Sequence, residues 1–394
     1  MADIDEPVEL RVLTLNCWGL YEPISKFRIQ RMVAIADYLA NSSYDIVLLQ
    51  EVWVKDDYTF LCSKLLATLP HTHYFHGGMM GSGLCIFSKY SILSTFEHMY
   101  TLKGFAHKFF HGDWYAGKSV GLAVINVDGF IINTYITHTH ADYGDPPRYK
   151  HLRVVQAFEL SEFIKLTSEG CDAAIVSGDL NFHATSLGFK IVSSNADLKD
   201  SWLSQIEEND NVEESWTCNM KGSPFGNGNG ARIDYLLYRW NEGVEMVCHK
   251  CEVVMKQVPR EPYFYSDHAA VGALYTLARV PKEKESERDE KQISQVLRDA
   301  LHSIHQGRDI ISNDQKTYYA AFIGLVLILI ALFTMPDFNL PVLFFLPKLV
   351  AILLMIFSGW MAIIACNKDL NAFTAAIKDI KVLLGGKGQF QPEE

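Results

Sequence analysis

No apolar leader opens this sequence. Met1 to Leu10 carries four acids and no apolar core, so a secretory signal is not expected and any insertion signal should lie at the other end. Basic charge is also short: 35 Lys and Arg stand against 46 Asp and Glu, a net charge of -11. A nucleic acid partner is therefore not expected, because phosphate contacts draw their affinity mainly from Lys and Arg, but a small or membrane-held phosphate ester stays open. The eight cysteines lack the short regular spacing of a disulfide framework, which makes reduced thiols in a cytosolic domain the simpler reading. Cys248 and Cys251 form a lone Cys-x-x-Cys in a strand-like run with no second pair at zinc-site spacing, and read as structural. Asn41-Ser42-Ser43 matches a glycosylation acceptor but has no route to a lumen. Long apolar runs are missing as well, though only as far as about Val280.

Up to Val280 the chain reads as a globular domain of short apolar runs separated by Gly and Asn turns. Alternation predicts strands over Glu9 to Leu15, Asp45 to Leu49, Gly83 to Phe87, Ile92 to Phe96, Ser119 to Val127, Phe130 to Thr137 and Ala173 to Ser177. Three more follow at Arg232 to Tyr238, Val244 to Val254 and Ala269 to Leu277. Asp128-Gly129 reads as a hairpin turn. Helical spacing marks Phe27 to Leu39, Asp56 to Leu69 and the stretch from Pro146 to Lys165. Gly222 to Gly230, rich in Gly and Asn, reads as a mobile loop.

Polar residues recur where these strands end: Asn16, Glu51, His138, Asp179 with Asn181, Asp234, and Asp267 with His268. In Ser177-Gly178-Asp179-Leu180-Asn181 a carboxylate and an amide two positions apart on a strand should point to one side and share a bound group. An ordinary turn would explain that stretch alone. The recurrence favours a site along one edge of a packed scaffold.

Six stretches, in order over residues 9 to 275, resemble the metal-dependent phosphoesterases of the endonuclease, exonuclease and phosphatase (DNase I-like) superfamily. They are Leu15-Asn16, Gln50-Glu51, Thr137-His138, Gly178-Asp179-Leu180-Asn181, Arg232-Ile233-Asp234-Tyr235 and Ser266-Asp267-His268. The resemblance implies a four-layer α/β sandwich. A closer similarity, to the animal neutral sphingomyelinases, lies in Gly81 to Lys89, His111 to Lys118 and Thr137 to Ala141. It covers nearly the full chain and implies an enzyme domain followed by a transmembrane helical hairpin. The implied reaction is phospholipase C-type hydrolysis of sphingomyelin to ceramide and phosphocholine.

Roles follow from that reaction, which needs an activated water, screening of phosphoryl charge and protonation of the leaving alcohol. Glu51 is a hard oxygen donor suited to Mg2+, with Mn2+ as a substitute; Asn16 and Asp267 complete the expected metal shell. His268 is the expected general base, oriented by Asp234. Asp179 would orient the water and Asn181 would donate to a phosphoryl oxygen. His138 is the expected general acid by its position in the family motif, ahead of His140. Asp113 and Lys118 correspond to a paired switch in the same family. A choline lysophospholipid, an inositol lipid or a nucleic acid as substrate, and a membrane adaptor without catalysis, are the competing readings.

Gly112 to Ser119 also satisfies the nucleotide-binding pattern G-x-x-x-x-G-K-S. That loop should follow a strand and open a helix, whereas strand-like sequence continues from Val120 to Val127, so an NTPase is not expected.

Beyond residue 280 the character changes. Residues 281–316 are charged but carry Ile293, Val296, Leu297, Leu301 and Ile304 at helical spacing, which predicts an amphipathic linker helix. Residues 317–367 hold two expected spans, about 318–335 and 349–366, and 368–394 a polar tail. Basic residues flank the pair (Arg298, Arg308 and Lys316 before, Lys368, Lys378 and Lys381 after), which predicts both flanks and the catalytic domain of residues 1–280 on the cytosolic side. The expected protein is thus an integral membrane enzyme, of an endomembrane such as the endoplasmic reticulum, with a lipid partner and an oligomeric state the sequence leaves open.

Overall fold

Period-two alternation divides each strand between two apolar environments. On the first strand Leu10 and Val12 enter one core while Leu13 and Leu15 enter another. A computed structural model describes residues 6–105, 107–143, 146–207, 212–220, 223, 228–281, 289–334 and 341–385. In chain order the elements are β1 (Val8–Asn16), α1 (Arg28–Ala40), β2 (Ile46–Gln50), α2 (Lys55–Leu65), β3 (His71–Phe75), β4 (Leu84–Ser88), β5 (Ile92–Met99), β6 (Ser119–Val127), β7 (Phe130–His138) and α3 (Pro146–Thr167). There follow β8 (Ala173–Asp179), α4 (Leu187–Asn195), β9 (Lys199–Asp200), α5 (Ser201–Ser204), β10 (Asp234–Trp240), β11 (Val244–Val254), β12 (Ala270–Arg279), α6 (Glu290–Thr334), α7 (Pro341–Trp360) and α8 (Cys366–Gly385).

Two compact units result: Met1–Gly144 with Gln156–Val296, and Asp145–Val155 with Leu297–Glu394. In the first, one six-stranded sheet has the order β11-β12-β1-β2-β4-β3 and the other β5-β6-β7-β8-β10-β9. A shared core packs Leu10, Val12, Ile46 and Leu48 with Ile132, Ile175 and Leu236 of the other sheet. Outside the first sheet, Met32, Ile35 and Leu39 of α1 and Leu61 of α2 cover Leu13, Leu15 and Val47. Outside the second, Phe163 of α3 packs edge-on against Tyr135 and Phe189 of α4 against Tyr235. Helix, sheet, sheet, helix is the expected four-layer sandwich. The hairpin turn is also as expected, with Asp128 and Gly129 both at positive φ (48° and 93°).

The inner faces position the site. Moving along them, apolar residues give way to polar ones at one end: Leu10, Val12, Thr14, Asn16 on β1; Ile46, Leu48, Gln50 on β2; Ile136, His138 on β7; Ile175, Ser177, Asp179 on β8; Leu236, Asp234 on β10. Register places Asn16 beside Gln50, His138 beside Asp179, and Asp179 beside Asp234.

Gly178 permits this packing. Its φ is +129°, and a Cβ there would sit 1.9 Å from the carbonyl oxygen of Thr137 on the adjacent strand. Gly178→Ala should therefore cost roughly 3 kcal/mol, combining backbone strain with overpacking, read as a lowered urea midpoint.

Several elements differ from the sequence expectation. β3 was hidden because its five residues His71 to Phe75 are mostly half-buried and carry little apolar alternation. α2 ends at Leu65, a turn short of Pro70. α4 was concealed in a Ser-rich stretch, where Ser186 caps the helix by accepting from the Phe189 N–H. Most of the expected loop at Gly222 to Gly230 lies outside the described residues, as do 282–288, 335–340 and 386–394.

In the second unit the amphipathic stretch and the first apolar run form one unbroken helix, α6, of 45 residues. At about 1.5 Å per residue that is roughly 68 Å, twice the hydrocarbon thickness of a bilayer, so only part of it can cross one. The second apolar run does not end at Cys366: a π-helical turn at Met361–Ala365 leads directly into α8. A polar tail was expected from residue 368, but its first part is helical to Gly385, with Phe373, Ala376, Ile377 and Ile380 buried at helical spacing. α6 runs antiparallel to this pair: Gln315 donates to the Ala362 carbonyl (2.9 Å) and Tyr318 meets Phe357 edge-on. The helices Glu290–Thr334 and Phe345–Gly385 are each long and apolar enough to cross a membrane.

Candidate active site

At the polar end of the shared core, three side-chain nitrogens gather around one carboxylate oxygen. Asp179 Oδ2 lies 3.1 Å from Asn16 Nδ2, 3.4 Å from His138 Nε2 and 3.8 Å from His268 Nε2. The same Asn16 amide donates to Glu51 Oε1 at 2.9 Å, while His138 Nε2 stands 3.9 Å from that oxygen. Glu51 follows β2 in the left-handed region (φ 58°), a costly conformation for a non-glycine residue that turns its carboxylate toward Asn16. His268 Nδ1 is 2.8 Å from Asp234 Oδ2; because an ionised carboxylate only accepts, Nδ1 carries the proton and Nε2 faces Asp179. Asp234 Oδ1 and His138 Nδ1 are buried without a hydrogen-bond partner.

Burial sets the electrostatics. It raises Glu51, with the Asp267 carboxylate adding to the effect against the opposing Asn16 amide. Asp179 is pushed up to about 7, chiefly by burial and then by Asp234. For His268 burial acts downward, but Asp234 and Asp179 outweigh it and hold the imidazole well above its ordinary value. His138 is driven the other way, by burial and then by Lys118 and His268. Lys118 is itself buried and pairs with Asp113 Oδ1 at 3.0 Å; Asp113 Oδ2 also accepts from the Ala141 N–H (3.2 Å) and lies 3.5 Å from His140 Nδ1. Together Lys118 and His140 overcome burial and hold Asp113 below the usual carboxylate range.

One expectation changes. Asn181 does not share a strand face with Asp179, because β8 ends at Asp179 and Asn181 adopts a left-handed turn (φ 51°). The two are joined instead through the Asn181 N–H, which donates to Asp179 Oδ1 at 2.9 Å, and the side-chain amide donates to the Thr139 carbonyl at 3.2 Å. At His138, the expected general acid, burial together with Lys118 and His268 favours the neutral imidazole, whose Nε2 lies 3.4 Å from Asp179 Oδ2.

The donors suit a hard divalent cation. Glu51 is a half-buried carboxylate whose charge burial and Asp267 both disfavour, and Mg2+ takes oxygen ligands and needs only one or two carboxylates from protein. A second grouping, Asp179, Asp234 and His268, has donor atoms within 4.8 Å of one another. The short Asp234–His268 bond already occupies two of its three members.

Since the Asp179 carboxyl is raised in the folded chain above its unfolded value near 4, the folded state binds more protons between pH 4 and 7. Stability in metal-free buffer should fall as pH rises through that window. Asp179→Asn should flatten the fall and raise the melting temperature at pH 8, measured by calorimetry.

Comparison with known proteins agrees with the architecture. The model of the Endonuclease/Exonuclease/phosphatase family matches residues 13–268, a span that begins three residues before Asn16 and ends on His268. The human sphingomyelin phosphodiesterase 2 is 36% identical, over 82% of this chain and 79% of its own length. A Caenorhabditis elegans protein provisionally assigned as a neutral sphingomyelinase is 34% identical over 95% of this chain and 91% of its own. The chain belongs to the endonuclease/exonuclease/phosphatase family, among the neutral sphingomyelinases. A beta toxin of Staphylococcus aureus, in a mutant form solved with bound magnesium ions, superposes with a TM-score of 0.54 at 19% identity, covering 68% of this chain and 99% of the toxin. At that identity the likeness is one of fold.

Sequence reasoning missed two supporting residues of this neutral sphingomyelinase. Trp53, two residues beyond Glu51, donates from Nε1 to Glu51 Oε2 (3.3 Å) and lays its ring over Gly83. Arg31, wholly buried on the apolar face of α1, donates to the carbonyls of Cys17, Trp18 and Tyr265 and so ties the segment after Asn16 to the segment before Asp267. A lone Arg among Met32, Ile35 and Ala36 was the available signal.

Proposed function

We propose that the chain is a Mg2+-dependent sphingomyelin phosphodiesterase that hydrolyses sphingomyelin to ceramide and phosphocholine. The observation that carries it is the convergence on Asp179 Oδ2 of Asn16, His138 and His268, in a chain whose family relatives include sphingomyelin phosphodiesterases.

His268 Nε2 takes a proton from the attacking water, while Asp234 holds Nδ1–H and stabilises the imidazolium that forms. Asp179, within reach of that nitrogen, orients the water. His138 is the proposed general acid: it would give the departing alcohol oxygen a proton and regain one as His268 releases the proton it took from water, while the amide of Asn181 would donate to a phosphoryl oxygen and Lys118 would add positive charge to the same region. Glu51, Asn16 and Asp267 would hold Mg2+, which when bound screens the phosphoryl charge and favours departure of the alcohol oxygen. Asp113, held by Lys118, His140 and the Ala141 N–H, positions the cation as a paired switch.

Anchoring by the apolar helices suits a lipid phosphodiester, which lies at the membrane interface. The basic flanks support a cytosolic face for the catalytic unit, on an endomembrane such as the endoplasmic reticulum. Protease digestion of that unit in sealed vesicles tests the orientation; full protection would overturn it. For the activity, the purified full chain is assayed with Mg2+ on vesicles of sphingomyelin, of lysophosphatidylcholine and of inositol lipid, and on DNA. Phosphocholine release should be fastest from sphingomyelin; preference for another substrate would replace this reading with that one.

A further inference from the structure

The site is polar and buried, yet three adjoining segments leave large apolar side chains in water. The segment after Asn16 exposes Tyr21, Ile24 and Phe27; the segment before Gly83 exposes Met79 and Met80; the segment leading to Asp113 exposes Phe110 in full. Singly such residues are ordinary on a protein surface, but apolar side chains gathered beside one polar site mark an interaction surface.

These segments are braced rather than loose. Arg31 holds the Cys17 and Trp18 carbonyls at 2.7 and 2.8 Å, and Ser25 Oγ donates to the Trp18 carbonyl at 2.6 Å. The second and third segments touch: the Gly117 N–H donates to the Gly81 carbonyl at 2.9 Å, and a Cβ on Gly78 would come within 2.4 Å of Gly117 Cα. Each segment is also joined to the site. Asn16 Oδ1 accepts from the Trp18 N–H, the Gly83 carbonyl accepts from the Val52 N–H beside Glu51, and the third segment ends in the Asp113–Lys118 pair.

We propose that these side chains form an apolar collar that enters the headgroup–acyl boundary of a bilayer and seats the polar site over a choline-headgroup lipid; the identity of that lipid rests on the hydrolase reading above. Charge decides the occupant. A net charge of -11 gives the chain no overall attraction to anionic lipid, so adhesion to the interface must come from apolar insertion, and a zwitterionic leaflet is the surface that does not repel it. The chain's two apolar helices keep such a surface within constant reach.

The test uses the full chain reconstituted in phosphatidylcholine vesicles with and without lipids carrying a shallow acyl-chain quencher. A polarity-sensitive fluorophore is attached in turn at Phe110→Cys, Met79→Cys and, at the far end of β5, Leu93→Cys, with the unsubstituted chain correcting for reaction at the half-buried Cys62 and Cys218. Emission at 110 and 79 should be quenched at least twofold, and emission at 93 should not change. Equal quenching at all three positions, or none at 110 and 79, overturns the collar, as does a blue-shifted emission that lipid quenchers do not reach, which would mean a protein partner covers it. The readout needs no turnover: quenching in a chain inactive on sphingomyelin supports the collar and removes only the hydrolase reading, whereas turnover without quenching removes only the collar.

Discussion

His268→Ala is expected to lower the turnover of sphingomyelin by roughly 10²–10⁴-fold, the usual contribution of a positioned acid–base group. The far nitrogen of this imidazole is locked by a carboxylate, Asp234 at 2.8 Å, while its near nitrogen faces the Asp179 hub. Its loss also leaves Asp234, already lacking a partner at Oδ1, without its remaining ring donor, so some stability should go as well, about 1–3 kcal/mol. The double variant His268→Ala/Asp234→Asn should recover part of that stability and none of the turnover, which separates catalysis from folding. In metal-free buffer, the raised His268 contributes stability that is complete below the unfolded value near 6.5 and is lost as pH rises through the folded value. A base must be neutral to act, so turnover should climb with pH through the same raised value. Asp234→Asn should move that limb to lower pH. A His268→Ala chain with unaltered kcat would remove the residue from its role.

Glu51→Gln should abolish the response to Mg2+ while preserving the fold. The replacement keeps an oxygen to accept from the Asn16 amide and removes a charge that burial and Asp267 both disfavour, against the loss of the Trp53 Nε1 bond to the other oxygen, so the metal-free protein should stay within about 1 kcal/mol of the parent. In the parent, Mg2+ at a hundred times its dissociation constant should stabilise the fold by about 2.7 kcal/mol through linkage, a shift visible in a thermal melt without any substrate. In Glu51→Gln the shift should vanish at the same concentration, and turnover should fall by on the order of 10²-fold or more, since even supporting residues of metal sites alter affinity by 10–100-fold. An undiminished Mg2+-induced shift would place the metal elsewhere, with the Asp179, Asp234 and His268 grouping next in line.

Much of this architecture was legible because the inner strands are written plainly. The runs Ile46 to Leu49 and Ala173 to Val176 are apolar up to the polar residues that lead into the site, and Phe130 to Ile136 is broken only by Asn133 and Thr134, so polar termini stood out as a pattern. What stayed hidden was decided by tertiary contacts. β3 is a half-buried edge strand whose partner β4 supplies most of its pairing, and nothing in His71-Thr72-His73 announces a strand. Asn181 sits at positive φ just past the end of β8, its N–H turned onto Asp179 Oδ1, and strand periodicity therefore failed for it. The same holds for His138: a motif gives an imidazole a role, but its protonation depends on burial and on Lys118, twenty residues away in sequence and close in space. At the other end, Lys316 and Lys368 suggested helix boundaries, yet charged residues interrupt a membrane span without interrupting a helix, and α6 and α8 run past both.

The central claim is that water, activated at His268, attacks phosphorus and displaces the ceramide oxygen in a Mg2+-dependent step. Hydrolysis of sphingomyelin by the full chain in ¹⁸O-labelled water tests it most directly. Phosphocholine should gain one labelled oxygen and ceramide none, and a chelator should stop the reaction. Label in ceramide, or turnover that survives the chelator, would contradict it.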